Sequence, residues 1–224
     1  DDPVATVAEF LRQRIAAAVG WQKLRVATDT AAGTATATRT APGLTIDLSA
    51  IAKGYAVDAV AAALQGLGLR DFFVEVGGEV VARGSRGGGE PWRLGIETPT
   101  SGAAPGSQPP QRVVPLTNRA LATSGDYRSY REVAGRRVSH TIDPRTRRPI
   151  DHPLASVSVV ADDCAHADAW ATALNVLGPQ AGMALAEREG LAVLMLVRNE
   201  AGGFDVLVSR AFEEVDAQAG QRGG

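Results

Sequence analysis

A chain of 224 residues with 45% hydrophobic side chains can bury a substantial core, as one large domain or two small ones. Its 23 lysines and arginines stand against 25 aspartates and glutamates, and a formal charge of −2 gives no bulk electrostatic reason to expect nucleic acid or an anionic membrane surface as partner. Cys164 is the single cysteine, which excludes an intrachain disulfide and leaves the redox compartment open.

No stretch approaches the ~20 apolar residues that span a bilayer, and no signal peptide is visible. The start at Asp1-Asp2-Pro3 reads as that of a cut or processed chain. Residues 5 to 19 place apolar side chains at helical spacing before Gly20, which predicts a surface helix. The runs LRVAT, TATATRT and LTIDLS then carry the β-branched, alternating pattern of strands joined by hairpins. At Ala50 the pattern changes to an alanine-rich helix that stops at Gly66 or Gly68.

Beyond it, FFVEV, GGEVVARG and WRLGIET read as strands linked by glycine turns, and residues 101 to 110 have the composition of a mobile loop. YREVAGRRVSH predicts a hairpin turning at Ala134-Gly135. HADAWATALNVLG and PQAGMALAEREG read as two helices, the second opened by Pro179, before a closing hairpin of LAVLMLVRN and FDVLVSR. The polar tail from Asp216 to Gly224 is expected to fray. Few helices and many hairpins give an α+β class with largely antiparallel sheets.

Three places could carry chemistry. Asp168 and Thr172 lie four apart on a predicted helix and project from one face, an oxygen pair suited to Mg²⁺. The same spacing also suits a structural pair, with Asp168 offsetting the helix dipole and Thr172 bonding back to a carbonyl. In IDLSAIAKGYAVD a strand end runs into a helix start, where free N–H groups and Lys53 could meet a phosphate and Asp47 could accept from hydroxyls. An ordinary helix start with a Ser49 cap, a solvated Lys53 and an outward Asp58 explains it equally well. In SHTIDPRTRRPI, His140 could act as a general base oriented by Asp143, although spacing cannot select it over His152 or His166.

Together the segments resemble the ApbE family of FAD:protein FMN transferases. The resemblance rests on DLSAIAKGYAVD, VEVGGE, TSGDY, SHTIDPRT and ADAWATALNVLG, in that order, over most of residues 44 to 198. It implies an ApbE-like (T-fold-like) domain over residues 1 to 224, with antiparallel sheets flanked by a few helices. It also implies Mg²⁺-dependent transfer of FMN from FAD to a Ser/Thr hydroxyl of a target protein, with release of AMP. By position in the motifs, Asp168, Thr172 and the backbone carbonyl of Ala50 match the metal ligands. Asp47, Lys53 and Ile142 match FAD contacts, and His140 matches the base, supported by Asp143.

The resemblance further implies an acceptor flavoprotein subunit of a membrane redox complex. The expected place is the periplasm, or the outer side of the bacterial inner membrane with a lipoprotein anchor. Two other readings stay open: an FAD pyrophosphatase yielding FMN and AMP, and a flavin-binding protein without turnover. Three departures accompany the match. Ala171 stands where some members carry a second metal-binding aspartate, and Arg147 replaces a common glycine. Only 46 residues precede Asp47, so the usual N-terminal segment that encloses the flavin is expected to be largely missing.

Overall fold

The computed structural model describes residues 19–99, 109–125, 130–133 and 136–220. The helix expected before Gly20, most of the 101–110 loop and the turn at Ala134-Gly135 lie outside the described residues. The chain divides into two compact units, Asp1–Asp47 with Pro144–Thr146, and Leu48–Asp143 with Arg147–Gly224.

In the first unit, β1 (Leu24–Asp29) and β2 (Thr34–Arg39) form an antiparallel hairpin in register from Leu24↔Arg39 to Asp29↔Thr34. Asp29 closes the turn by accepting the N–H groups of Ala31 and Ala32, each at 3.0 Å, the local bonding that makes aspartate a turn residue. The strand expected from LTIDLS does not form: residues 44–48 have no regular secondary structure.

The second unit is built on a six-stranded sheet in the order β14-β13-β12-β7-β4-β3, antiparallel throughout. Its strands are β3 (Phe72–Val76), β4 (Glu79–Arg83), β7 (Arg119–Gly125), β12 (Leu154–Ala161), β13 (Ala192–Arg198) and β14 (Phe204–Val208). Two short strands, β5 (Trp92–Ile96) and β6 (Arg112–Leu116), pair separately, as do β8 (Tyr130–Val133) with β9 (Arg136–Ser139) and β10 (Ile142–Asp143) with β11 (Arg148–Pro149). The α+β class and the antiparallel hairpins are as the sequence predicts.

Both faces of the sheet are buried, so alternation along a strand sorts side chains into two cores. Along β13, Ala192, Leu194 and Leu196 join Val80, Ala82, Leu121 and Val160 on one face, covered by β5, β6 and Phe212. Val193 and Met195 join Val157, Val159, Ala171 and Leu174 on the other. That second face carries α1 (Ala52–Gly66), α2 (Cys164–Leu177) and α3 (Pro179–Glu189), with α1 against β3 and β4 and α2 against β7 and β12. A further helix, α4 (Arg210–Gly220), runs through Asp216, where a frayed tail was expected. Fully buried Phe212 and an ion pair between Arg112 and Asp216 hold it.

The start of α2 is bound from two sides. Asp163 is its N-cap and accepts the His166 N–H at 2.9 Å. Asp58 reaches across from α1 to accept the N–H groups of Cys164 at 2.9 Å and Ala165 at 2.8 Å. Asp58 therefore faces a neighbouring helix rather than outward, and two carboxylates satisfy donors that a helix start leaves open. Partial burial raises the Asp163 carboxyl, but the bonds to His166 outweigh it and hold the group below its ordinary value of 3.8. A lowered folded value contributes stability above 3.8 that is lost as pH falls through the folded value. Asp163→Ala should cost about 1 kcal/mol at pH 7 and progressively less in acid, read by urea unfolding. An equal cost at pH 7 and in strong acid would contradict the capping role.

Candidate functional site

The second residue of α1 and the second turn of α2 meet over the edge of the sheet. Lys53 Nζ lies 2.5 Å from Glu79 Oε1 and 3.2 Å from Asp168 Oδ1. Both carboxylates are almost fully buried, Glu79 at 2% and Asp168 at 3% exposure, while the lysine side chain is half open to solvent. The Gly54 N–H donates to Asp168 Oδ2 at 3.0 Å. That N–H is one of those that a helix start leaves open.

The close approach depends on glycine. A Cβ on Gly54 would lie 2.2 Å from the Cys164 carbonyl oxygen and 2.9 Å from Ala165 Cα, so the two helix backbones touch where any side chain would intrude. Glu79 is set by strand alternation. It opens β4 directly after Gly77 and Gly78, whose φ of 64° and 98° make the tight turn, and it shares the helix-facing side with Val81. Burial pushes the Glu79 carboxyl up, further than the lysine brings it down. The same burial works against the Lys53 ammonium, but Glu79 and Asp168 more than compensate and hold it above its usual range.

These contacts bear on the structural readings left open by spacing. Asp168 lies beyond the first turn of α2, where the N-terminal dipole acts most strongly, and binds Lys53 and Gly54 instead. Among the described residues, no hydrogen bond returns the half-buried Thr172 hydroxyl to the Asp168 carbonyl. The helix α1 has Ile51, not Ser49, at its N-cap position. Among the described residues no three His, Cys, Asp or Glu side chains converge as a metal cluster. The oxygens that the resemblance assigns to a cation are the Asp168 carboxylate, the Thr172 hydroxyl four residues on in α2, and the Ala50 carbonyl just before α1. Hard oxygen donors of this kind suit Mg²⁺.

The other expected site residues are placed as follows. Asp143 is buried at 8% exposure in β10, which packs against α2, and its carbonyl accepts the Arg147 N–H at 2.7 Å. Ile142 is half exposed beside it, and His140 is exposed at a bend one residue after β9. Asp47 is exposed and belongs to the first unit. Arg147 has φ 59°, the left-handed conformation that explains a preference for glycine there, so its first consequence is for the β10–β11 turn. Ala171 is fully buried in the apolar cluster with Leu174 and Val159. A carboxylate there would enter the apolar core.

Glu79 is the member of this cluster that sequence reasoning did not single out. The available signal was an acidic side chain at a strand position whose period-two neighbours are apolar. On the opposite face of the sheet, a cavity of about 760 Å³ lies under β5 and is lined by Phe73, Arg93, Glu97, Thr123 and Gly125. Its rim includes Gly77 and Gly78, so one turn borders both the cavity and the Lys53 cluster.

The fold and this cluster define an α+β protein in which two helices present a buried carboxylate, a lysine and a turned backbone at one edge of an antiparallel sheet. The chain belongs to the ApbE family, whose model matches residues 4–195. It is 42% identical over 171 residues to the FAD:protein FMN transferase of Klebsiella pneumoniae, covering 76% of this chain and 47% of that protein. The protein of that name from Haemophilus influenzae is 40% identical over 191 residues, with 85% and 54% covered. The chain thus spans about half the length of the curated relatives it matches.

Among solved structures, the apo form of Pseudomonas stutzeri flavinyl transferase ApbE superposes with a TM-score of 0.76 at 40% identity, over 91% of this chain and 60% of that one. The flavin transferase ApbE from Vibrio cholerae gives 0.76 at 38%, over 92% and 62%. Since the α1–α2 contact leaves no room for a side chain at Gly54, Gly54→Ala should destabilise the chain by about 3 kcal/mol in thermal unfolding, near the upper end for overpacking. A variant as stable as wild type would show that the helices do not meet there.

Proposed function

We propose that this chain carries the metal- and phosphate-handling part of a Mg²⁺-dependent FAD:protein FMN transferase. The observation that supports it best is the meeting of Lys53, Gly54 and Asp168, which puts a cation-binding carboxylate and an anion-binding ammonium within one contact of each other. Similarity to proteins named FAD:protein FMN transferase supplies the reaction.

The acceptor Ser/Thr hydroxyl oxygen attacks the FMN-side phosphorus of FAD. A new P–O bond forms, the bond to the AMP oxygen breaks, and AMP leaves. Bound Mg²⁺ would neutralise charge on the phosphate oxygens, and Asp168, Thr172 and the Ala50 carbonyl are the groups that would hold it. Lys53 binds and orients the pyrophosphate, with Asp47 and Ile142 as further FAD contacts. His140 takes the hydroxyl proton, and Asp143 supports that segment from its buried place in β10. On the family resemblance, the acceptor is a flavoprotein subunit of a membrane redox complex. The location proposed with it is the periplasm or, as a lipoprotein, the outer side of the inner membrane.

Incubation with FAD, Mg²⁺ and a Ser/Thr acceptor peptide should add one FMN to the peptide by mass spectrometry. AMP released with no modified peptide would instead support FAD hydrolysis. Asp168→Ala should abolish Mg²⁺-dependent turnover, and full turnover at saturating metal would remove Asp168 from the ligand set. His140→Ala should slow transfer roughly a hundredfold while changing FAD binding little, as expected for a base that acts on the barrier. Equal losses in binding and rate would make His140 a binding residue.

A further inference from the structure

The Lys53 ammonium occupies one of the two oxygens that Asp168 would offer a cation. Asp168 Oδ2 is taken by the Gly54 N–H, and Oδ1, the oxygen left for a metal, is taken by Lys53 at 3.2 Å. A divalent cation and an ammonium cannot share that oxygen at contact distance without strong repulsion. A metal on Asp168 would therefore favour Lys53 away from that carboxylate.

Glu79 gives it a place to go. Its Oε1 is already the nearer partner, at 2.5 Å, and its Oε2 is buried with no hydrogen-bond partner among the described residues. A buried carboxylate with an unsatisfied oxygen is costly for stability, and a well-packed apolar side chain would be the more stable choice at that position. The carboxylate is also firmly anchored. It faces Val76 across the first pair of the β3–β4 hairpin, fixed by the Gly77-Gly78 turn. The lysine side chain is half exposed, with its ammonium on both carboxylates.

We propose that Glu79 is a positioning residue that retains Lys53 when it releases Asp168, so that filling the metal position and presenting the ammonium to an anion are one exchange. This rests on the reading of Asp168 as a metal ligand. Glu79 acts only through Lys53 and does not itself touch the cation. Without Glu79, Lys53 has Asp168 as its remaining carboxylate partner in the cluster and competes with the metal for it.

The test is Mn²⁺ titration of the full chain by electron paramagnetic resonance, without FAD, because Mn²⁺ takes the same hard oxygen donors as Mg²⁺. Glu79→Gln should weaken Mn²⁺ binding roughly tenfold, the scale of outer-shell changes at metal sites. Adding Lys53→Met to that variant should restore wild-type affinity or better. Unchanged affinity in Glu79→Gln, or no rescue in the double variant, overturns the proposal, and failure of rescue would make Glu79 a ligand or a structural group.

Should Glu79→Gln fail to fold, Lys53→Met is compared with Lys53→Met/Glu79→Leu, which removes the pair together. Equal affinities are expected, and a tenfold loss on removing Glu79 in that background contradicts the proposal. Wild-type chain that binds no Mn²⁺, or Asp168→Ala that binds as wild type does, overturns the metal reading itself and the exchange with it. Those results are distinct from a wild type that binds through Asp168 and is indifferent to Glu79.

Discussion

Asp168 accepts a backbone N–H from α1, and that bond exists because two helices touch backbone to backbone at Gly54. Much of the site follows from this one contact. The N–H of Gly54, one of those that a helix start leaves open, finds its acceptor in Asp168. Lys53, one residue earlier, is carried to the second oxygen of the same carboxylate. The free N–H groups at the start of α2 are brought within reach of Asp58, which locks the helix pair from the other side. A single missing side chain thus orders a carboxylate and a lysine at one place.

The sheet beneath supplies what the helices cannot. Because both faces are covered, the strand period decides which core a residue enters, and Glu79 falls on the helix side directly under Lys53. The cluster is therefore ionic and nearly dry on the sheet side, and open on the lysine side. Such a balance is poor for stability alone and suited to a site that exchanges one cation for another. Cys164 sits in the same corner with its thiol pushed up to about 12, chiefly by burial, and behaves there as an apolar filler rather than a nucleophile.

Much of this was legible in the sequence. The helix spanning Lys53, the Pro179 helix start, the hairpin of β8 and β9 and the closing β13–β14 pair follow from local periodicity and turn chemistry. The order of five motifs pointed to the family where each motif alone had an ordinary structural explanation. What the sequence could not show is contact between residues far apart in the chain. Lys53 and Asp168 are 115 residues apart, and nothing local says that they meet. Asp58 looked like an outward helix residue for the same reason, and Ala171 looked like a vacated ligand position because spacing on a helix does not say which face is core. The strand expected at LTIDLS failed because β propensity needs a partner strand, and that segment has none among the described residues.

The proposed function requires one divalent cation bound between α1 and α2 at the Gly54 contact. A crystal of the chain grown with Mn²⁺ and examined by anomalous diffraction tests it directly. The account predicts a peak touching Asp168, the Thr172 hydroxyl and the Ala50 carbonyl, with Lys53 withdrawn from Asp168 and still bound to Glu79. A peak elsewhere, or Lys53 still seated on Asp168 beside a bound metal, would contradict it.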